Sequence, residues 1–230
     1  MPFGNQEIVV DYVNLGPVIN DKIKQYLVLL ATIPKEIALS YYDVFFAAGL
    51  DLVAIDIIPL ALQRALFLKE GDEEIAVADV GADTTNFSII RGTKVSFART
   101  IALAGSLINQ NISKASYAEI AVTAETQEDF SRVTNTIRSY QLMKESSMEL
   151  VRELRRSFDF WQTQSQGNNI SKLILTGGVA NLTGFDTFLS QELEMRVQVG
   201  YPFSFLQKND SLFGPEYALA LGLALRGVTS

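Results

Sequence analysis

Two apolar runs open the chain, residues 7–14 (EIVVDYVN) and 26–33 (YLVLLATI), rich in Val, Ile, Leu and Tyr and closed by Gly16–Pro17 and by Pro34. Both predict strands. Pro34 suits the first turn of a helix, and Ile37, Tyr41, Val44, Phe45 and Ala48 recur at helical spacing until Gly49 offers a left-handed cap. The run LVAIDII (52–58) predicts a third strand, Pro59 a short helix, and GDEE (71–74) an acidic surface turn. The pattern then becomes three consecutive antiparallel strands, EIAVADVG (74–81), NFSIIRG (86–92) and TKVSFARTIAL (93–103), with tight turns at 81–85 and 91–93. Residues 105–165 read as mainly helical. Met143, Leu150, Leu154, Phe158 and Trp161 fall on one stripe there, with Glu149, Arg152, Glu153 and Arg156 off it, which predicts a core-facing helix. QGNN (166–169) breaks the helix, SKLILTGG (171–178) predicts a buried strand running into a glycine turn, and a helix over 184–194 follows. VQVGYPF (197–203) predicts a last short strand and EYALALGLALRG (216–227) an apolar terminal helix.

Composition narrows the chemistry. The 230 residues are 48% apolar, enough for a real core, and they include no cysteine and no histidine. Thiol nucleophiles, imidazole bases, disulfides and the usual zinc sites are therefore excluded, and any metal must be held by oxygen, which points to magnesium. A net charge of −7 argues against nucleic acid as a partner and against adsorption to anionic lipid. The most apolar stretch, 51–67, is cut by Asp56, Pro59 and Arg64, so no bilayer span is expected. The start of the chain has no basic patch followed by an apolar run, which makes a cytoplasmic location the expectation.

Two motifs carry chemistry. In DVGADTTNF (79–87) a strand ends in Asp-x-Gly and turns through Gly81–Thr85 into the next strand, so that successive backbone N–H groups can point into one concavity that cradles phosphate. Asp79 would orient magnesium-bound water, and the hydroxyls of Thr84 and Thr85 could bond phosphate oxygens. A plain β-hairpin with a hydroxyl-rich turn also fits these residues. The second motif, Thr176-Gly177-Gly178, ends an apolar strand just ahead of a helix, and paired glycines let backbone approach a flat base closely. A turn leading into a helix without any ligand is the alternative. Taken together and in this order, the two turns can face a nucleotide from its phosphate and adenine ends, as in one lobe of an actin-type fold built by residues 75–227.

The successive segments DVGADTTN, ALAGSLINQNI, LILTGGVANLTGF and PEYALALGLALRG resemble the signatures of the PilM family, actin-like cytoplasmic proteins of type IV pilus assembly related to FtsA. The start, MPFGNQEIVVDY, is similar to a stretch of the family's inserted small subdomain, so the resemblance extends over the whole chain. Ala82 and Asn86 favour PilM over FtsA, which tends to have glycine and aspartate there. The resemblance implies an α/β, partial actin-like (ribonuclease H-like) nucleotide-binding fold. It assigns 1–58 to part of an SHS2-like subdomain and 59–230 to an actin-like lobe with a helical insert around 105–165 and a terminal helix 216–227. It implies ATP with Mg2+ as ligand, held by Asp79, Gly81, Thr84, Thr85, Gly105, Glu119, Gly177 and Gly178, with Asp79 serving the metal.

Departures from the family pattern accompany the match. No first Asp-x-Gly hairpin precedes Met1, as expected of a fragment or of a naturally shortened protein with one phosphate clamp. Asp83 stands where small or hydroxyl residues are usual and would repel a phosphate. Ala104 replaces a glycine, Asn109 a threonine, and Val122 the lysine of the Ala-Glu-x-x-Lys stretch that contributes a ribose contact in relatives. These changes weaken the expected ATP site, and turnover by this chain is not expected. The resemblance implies a scaffold at the cytoplasmic face of the inner membrane that holds the N-terminal tail of a PilN-like membrane protein and meets other pilus assembly components. The tail is expected to lie in a groove bordered by the small subdomain, where Val10, Tyr12 and Leu29 alternate suitably. The alternatives are an active actin-like ATPase and an FtsA-like membrane tether. Tyr217, Leu219, Leu221, Leu223 and Leu225 are expected to be partly uncovered, which predicts self-association.

Overall fold

The computed structural model describes residues 6–20, 23–66, 73–103, 105, 128–165, 169–202 and 213–227, and the chain divides into two units, Met1–Ile57 and Ile58–Ser230. In the first unit, strands β1 (Ile8–Asn20) and β2 (Ile23–Pro34) pair antiparallel and helix α1 (Lys35–Ala47) follows. Both strands run further than the sequence pattern marks, because a bulge between Asn14 and Gly16, with Gly16 at φ 114°, lets the ladder continue past the Gly-Pro pair. Pro34 precedes α1 with φ −56°, as its ring requires, and Gly49 closes the helix at φ 70°.

The segment 52–58 is not a strand. Residues 51–57 run irregularly into the next helix, and the Asp56 carboxylate accepts the N–H of Ile57 at 2.8 Å, a local bond that competes with a ladder. The ladder register corrects a second expectation. Val10 and Tyr12 lie opposite Thr32 and Leu30 on one face, whereas Leu29 lies opposite Val13 on the other. No residue of α1 is buried, and Tyr12, Val44 and Phe46 are each about two-thirds exposed (66%, 66% and 72%). A two-stranded ladder with one helix offers too little surface to cover such side chains.

Among the described residues, the second unit is built on a five-stranded sheet in the order β5-β4-β3-β6-β7. Strands β3 (Glu74–Val80), β4 (Thr85–Arg91) and β5 (Lys94–Ile101) form the antiparallel half; β6 (Ile170–Thr176) and the short β7 (Val197–Val199) add on in parallel. Alternation sorts the side chains. Ala76, Ala78, Val80, Phe87, Ile89, Leu173 and Leu175 face α3 (Glu128–Gln164) and α4 (Phe185–Leu193), whose Met143, Leu150, Leu154, Phe185, Phe188 and Leu189 complete the main core. Phe158 and Trp161 continue the stripe, with Phe158 edge-on to Phe87 at 5.2 Å. Fully burying a side chain such as Leu154 or Phe188 is worth about 1.5–3 kcal/mol.

On the opposite side of the sheet, α2 (Ile58–Ala65) packs against the terminal helix α5 (Ala218–Ala224), burying Ala61, Leu62, Ala65 and Ala218. The terminal segment starts as a 3-10 turn, Pro215–Tyr217, with Tyr217 and Leu223 close to half exposed and Leu219, Leu221 and Leu225 half-buried. Glu74 does not belong to an acidic surface turn. It begins β3 with only 4% exposure, and its carboxylate accepts the Trp161 indole N–H at 2.8 Å, tying the end of α3 to the sheet. Off the stripe, Glu153 binds both Arg99, at 2.9 Å, and Arg156, while Glu149 binds Arg152.

Candidate functional site

The chemistry collects where β3 and β6 end side by side. Register pairs Asp79 with Asn86 on β4 and with Thr176 on β6, so the two motifs, about a hundred residues apart in sequence, meet at one edge of the sheet. Gly81 N–H donates to the Thr84 carbonyl at 3.0 Å and closes the turn, whereas the N–H groups of Ala82, Asp83 and Thr84 make no backbone bond among the described residues. A turn in that state has backbone donors to spare. Asp83 and Thr84 are exposed on it.

Thr85 is placed differently. It is fully buried, and its hydroxyl donates to the Leu103 carbonyl at 2.8 Å, where it joins β4 to the end of β5. Gly105 N–H donates to the Gly81 carbonyl at 3.0 Å, so the connecting segment is tied directly to the turn. Any Cβ on Gly105 would meet Val179 at 2.1 Å, which explains glycine there by packing. Gly177 has φ 84°, and a Cβ there would sit 2.6 Å from both the Asp79 carboxylate and the Val80 carbonyl. Gly178 faces open space. Asp79, Gly81, Thr84, Gly105, Gly177 and Gly178 are thus brought together; Glu119 lies outside the described residues, as do Ala104, Asn109 and Val122.

Three features escape the sequence reading. The Pro215 carbonyl accepts both the Gly177 N–H (3.2 Å) and the Thr176 hydroxyl (2.8 Å), fastening the terminal segment to the glycine turn. The Thr100 hydroxyl donates to the Asn86 side-chain carbonyl at 3.1 Å, and the Asn86 amide reaches Asp79 at 3.4 Å. Asn181 donates to Glu216 at 2.7 Å. Asp79, Asn86, Thr176 and Gly177 stand out in the sequence, whereas the bonds that Thr100 and Pro215 make to them do not.

Burial raises the Asp79 carboxyl above its ordinary value of 3.8, partly opposed by the amide of Asn86. The folded chain therefore holds this proton more tightly than the unfolded chain does. The resulting stabilisation is complete below about pH 3.8 and is lost as pH rises through the elevated folded value. Asp79→Asn should consequently be more stable than the parent at pH 7, with the difference vanishing below that lower limit. Urea denaturation across pH tests this; a variant less stable at neutral pH would contradict it.

The sequence model of the type IV pilus assembly protein PilM family matches residues 1–228. The chain belongs to the PilM family. Among solved structures, a chain of the PilM-PilN type IV pilus biogenesis complex is 26% identical, with a TM-score of 0.75, and the match covers 100% of this chain and 69% of that one. The ethanolamine utilization protein EutJ from Carboxydothermus hydrogenoformans is 25% identical over 81% of this chain and 60% of its own, with a TM-score of 0.57. MreB5 of Spiroplasma citri, solved bound to ADP, is 12% identical over 86% of this chain and 66% of its own, also at 0.57, and shows the fold alone. The fold is the actin-like one expected from the two turns, and this chain spans 60–69% of the length of these three structures. Among the described residues no helix is long and apolar enough to cross a membrane.

Proposed function

We propose that this chain is a scaffold of type IV pilus assembly that binds the N-terminal tail of a PilN-like membrane protein, with ATP and Mg2+ as ligands of its sheet-edge cradle. The observation that carries the first part is the match, over the full chain, to a protein solved as a PilM-PilN complex. The half-exposed to fully exposed apolar side chains of the first unit, among them Val10, Tyr12 and Leu30, supply the kind of surface on which an extended peptide anchors. Its place would be the cytoplasmic face of the inner membrane, reached through that partner.

The nucleotide part rests on the residues at the edge of the sheet. Gly178 opens onto free space, the turn at 81–84 offers backbone donors, Thr84 offers an exposed hydroxyl, and Asp79 offers the oxygen that suits a hard cation. These residues fit Mg-ATP, and bound magnesium would neutralise the phosphate charge that exposed Asp83 opposes. With Mg-ATP bound, the turn would donate to phosphate, Asp79 would serve the cation, and the glycine turn would let the base approach the backbone.

A fluorescent peptide copying the N-terminal tail of a PilN-like protein should bind the purified chain, and a scrambled peptide should not. Equal binding of the two, or no binding by a chain shown to be folded, would remove the scaffold reading. Isothermal titration with Mg-ATP tests the cradle separately.

A further inference from the structure

Strand β2 has β1 on one side and, among the described residues, no neighbouring strand on the other. In an antiparallel strand alternate residues turn their N–H and C=O toward the neighbour and away from it, so the outer side of this 12-residue strand carries a row of backbone groups without a ladder. The side chains agree. Tyr26, Leu27 and Val28 are 57%, 49% and 44% exposed, although consecutive residues of a strand point to opposite faces. A layer packed on one face would cover only every second one of them. A strand laid along the edge places neighbours on both faces at once.

Strand β1 is also exposed on both faces, at Val9, Val10, Tyr12 and Val13, but it caps its own edge. The Asp11 carboxylate accepts the Tyr12 N–H at 2.8 Å, the Asn14 side-chain oxygen accepts the Gly16 N–H at 2.9 Å, Pro17 has no N–H to offer, and the ladder bulges between Asn14 and Gly16. Charge, proline and a bulge are the devices by which edge strands avoid pairing. Between Gln25 and Ile33, β2 has none of them: QYLVLLATI holds no charge, no proline and no glycine, and every residue of β2 stands in the ladder with β1. In the second unit, the edge strand β5 carries Lys94 and Arg99 and is bulged opposite Ile89 and Ile90, and β7 is only three residues long.

We infer that the outer edge of β2 docks β2 of a second copy of this chain, antiparallel about a two-fold axis, joining two hairpins into a four-stranded sheet β1-β2-β2-β1. The edge itself selects the occupant, which must bring a row of unladdered backbone groups, no charge and matching length; among the described strands β2 alone meets all three. Antiparallel pairing sets Lys24, the one charged residue of the strand, toward the uncharged Thr32–Pro34 end of the other copy, whereas a parallel in-register pair would set the two lysines side by side. Because β1 closes both outer edges, association stops at two copies. Four strands also supply what two lack, since a lone hairpin is at best marginally stable in water. The inference does not depend on the nucleotide reading.

The test uses the full chain. Sedimentation velocity between about 1 µM and 1 mM should show a reversible monomer–dimer equilibrium. Val28→Lys puts a charge on the β2 edge of each copy and should weaken the dimer at least about tenfold. Val13→Lys, at an equally exposed position of β1 (45%), should leave it within about twofold of the parent. Unchanged circular dichroism spectra show that both variants fold. The chain has no cysteine, so single nitroxide labels on Gln25→Cys, Val28→Cys and Leu30→Cys report the pairing directly. In a two-fold antiparallel pair each residue of displacement from the axis moves both labels, and the distance between them should grow by about 6–7 Å per residue. A monomer throughout the concentration range overturns the proposal and leaves the edge to a strand of another protein. So does a dimer untouched by Val28→Lys, one that Val13→Lys breaks as readily, or a label distance independent of position.

Discussion

Gly177→Ala should lower the unfolding free energy by about 3–4 kcal/mol and abolish whatever ligand binding the sheet edge supports. Two independent costs add. The backbone at φ 84° and ψ 178°, a region essentially reserved for glycine, costs a residue with a Cβ about 1–3 kcal/mol, and the new methyl group would lie 2.6 Å from the Val80 carbonyl oxygen and from the Asp79 carboxylate. Overpacking of that kind typically costs about 1–3 kcal/mol more. The carboxylate can swing away, but the carbonyl belongs to β3 and cannot. Relief would have to come from parting β3 and β6 where they end, the place where the Pro215 carbonyl also holds Gly177 and Thr176. Equilibrium urea denaturation of Gly177→Ala and Gly178→Ala reads this directly. At position 178 the added Cβ meets nothing within 4 Å, so that variant should stay within about 0.5 kcal/mol of the parent. Equal losses at the two positions would show that the close approach to β3 is not what requires Gly177.

The contrast between neighbouring glycines shows what a sequence can carry and what it cannot. The pattern DVGADTTNF followed by LTGGVANLTG implies two strand ends turning at one edge of a sheet, and the structure brings Asp79 opposite Thr176. That step was legible because alternation and turn residues are local signals. Which glycine touches β3 was not legible, since it depends on how far a parallel neighbour is offset. The same limit explains Glu74. Beside Gly71 and Asp72 it reads as surface, and only the register that brings Trp161 to it makes a buried carboxylate sensible. It also explains residues 52–58, where β-branched composition predicts a strand but a strand requires a ladder, and the chain there bonds locally instead. Leu29 is a finer case. Residues 10, 12 and 29 look equivalent in composition, yet the parity of an antiparallel register sends Leu29 to the other face. The bond between Asn181 and Glu216 gave no signal, because the two lie 35 residues apart and only the fold brings them together.

Gly222→Ala should cost about 3 kcal/mol, through packing alone, since its backbone lies outside the left-handed region. A Cβ at this position would fall 1.9 Å from the Ala61 carbonyl oxygen and 2.5 Å from its carbon, so α5 could remain on α2 only by sliding or lifting. Neither movement is free. Ala61, Leu62, Ala65 and Ala218 are at most 1% exposed, and opening the contact returns their apolar surface to water at about 25 cal/mol per Å2. Lifting also breaks the bond from the Arg64 guanidinium to the Gly222 carbonyl, 3.0 Å long. The small residues at this crossing are what allow the helices to approach so closely, so a compensating change should exist on α2. Because the obstacle is the Ala61 backbone, shortening the side chain in Ala61→Gly cannot itself clear the clash, and only the backbone freedom it adds could help. The double variant Ala61→Gly with Gly222→Ala should therefore recover little of the loss. Nearly full recovery in denaturant titrations would mean that side-chain crowding, rather than the contact with the α2 backbone, sets the requirement for glycine at 222.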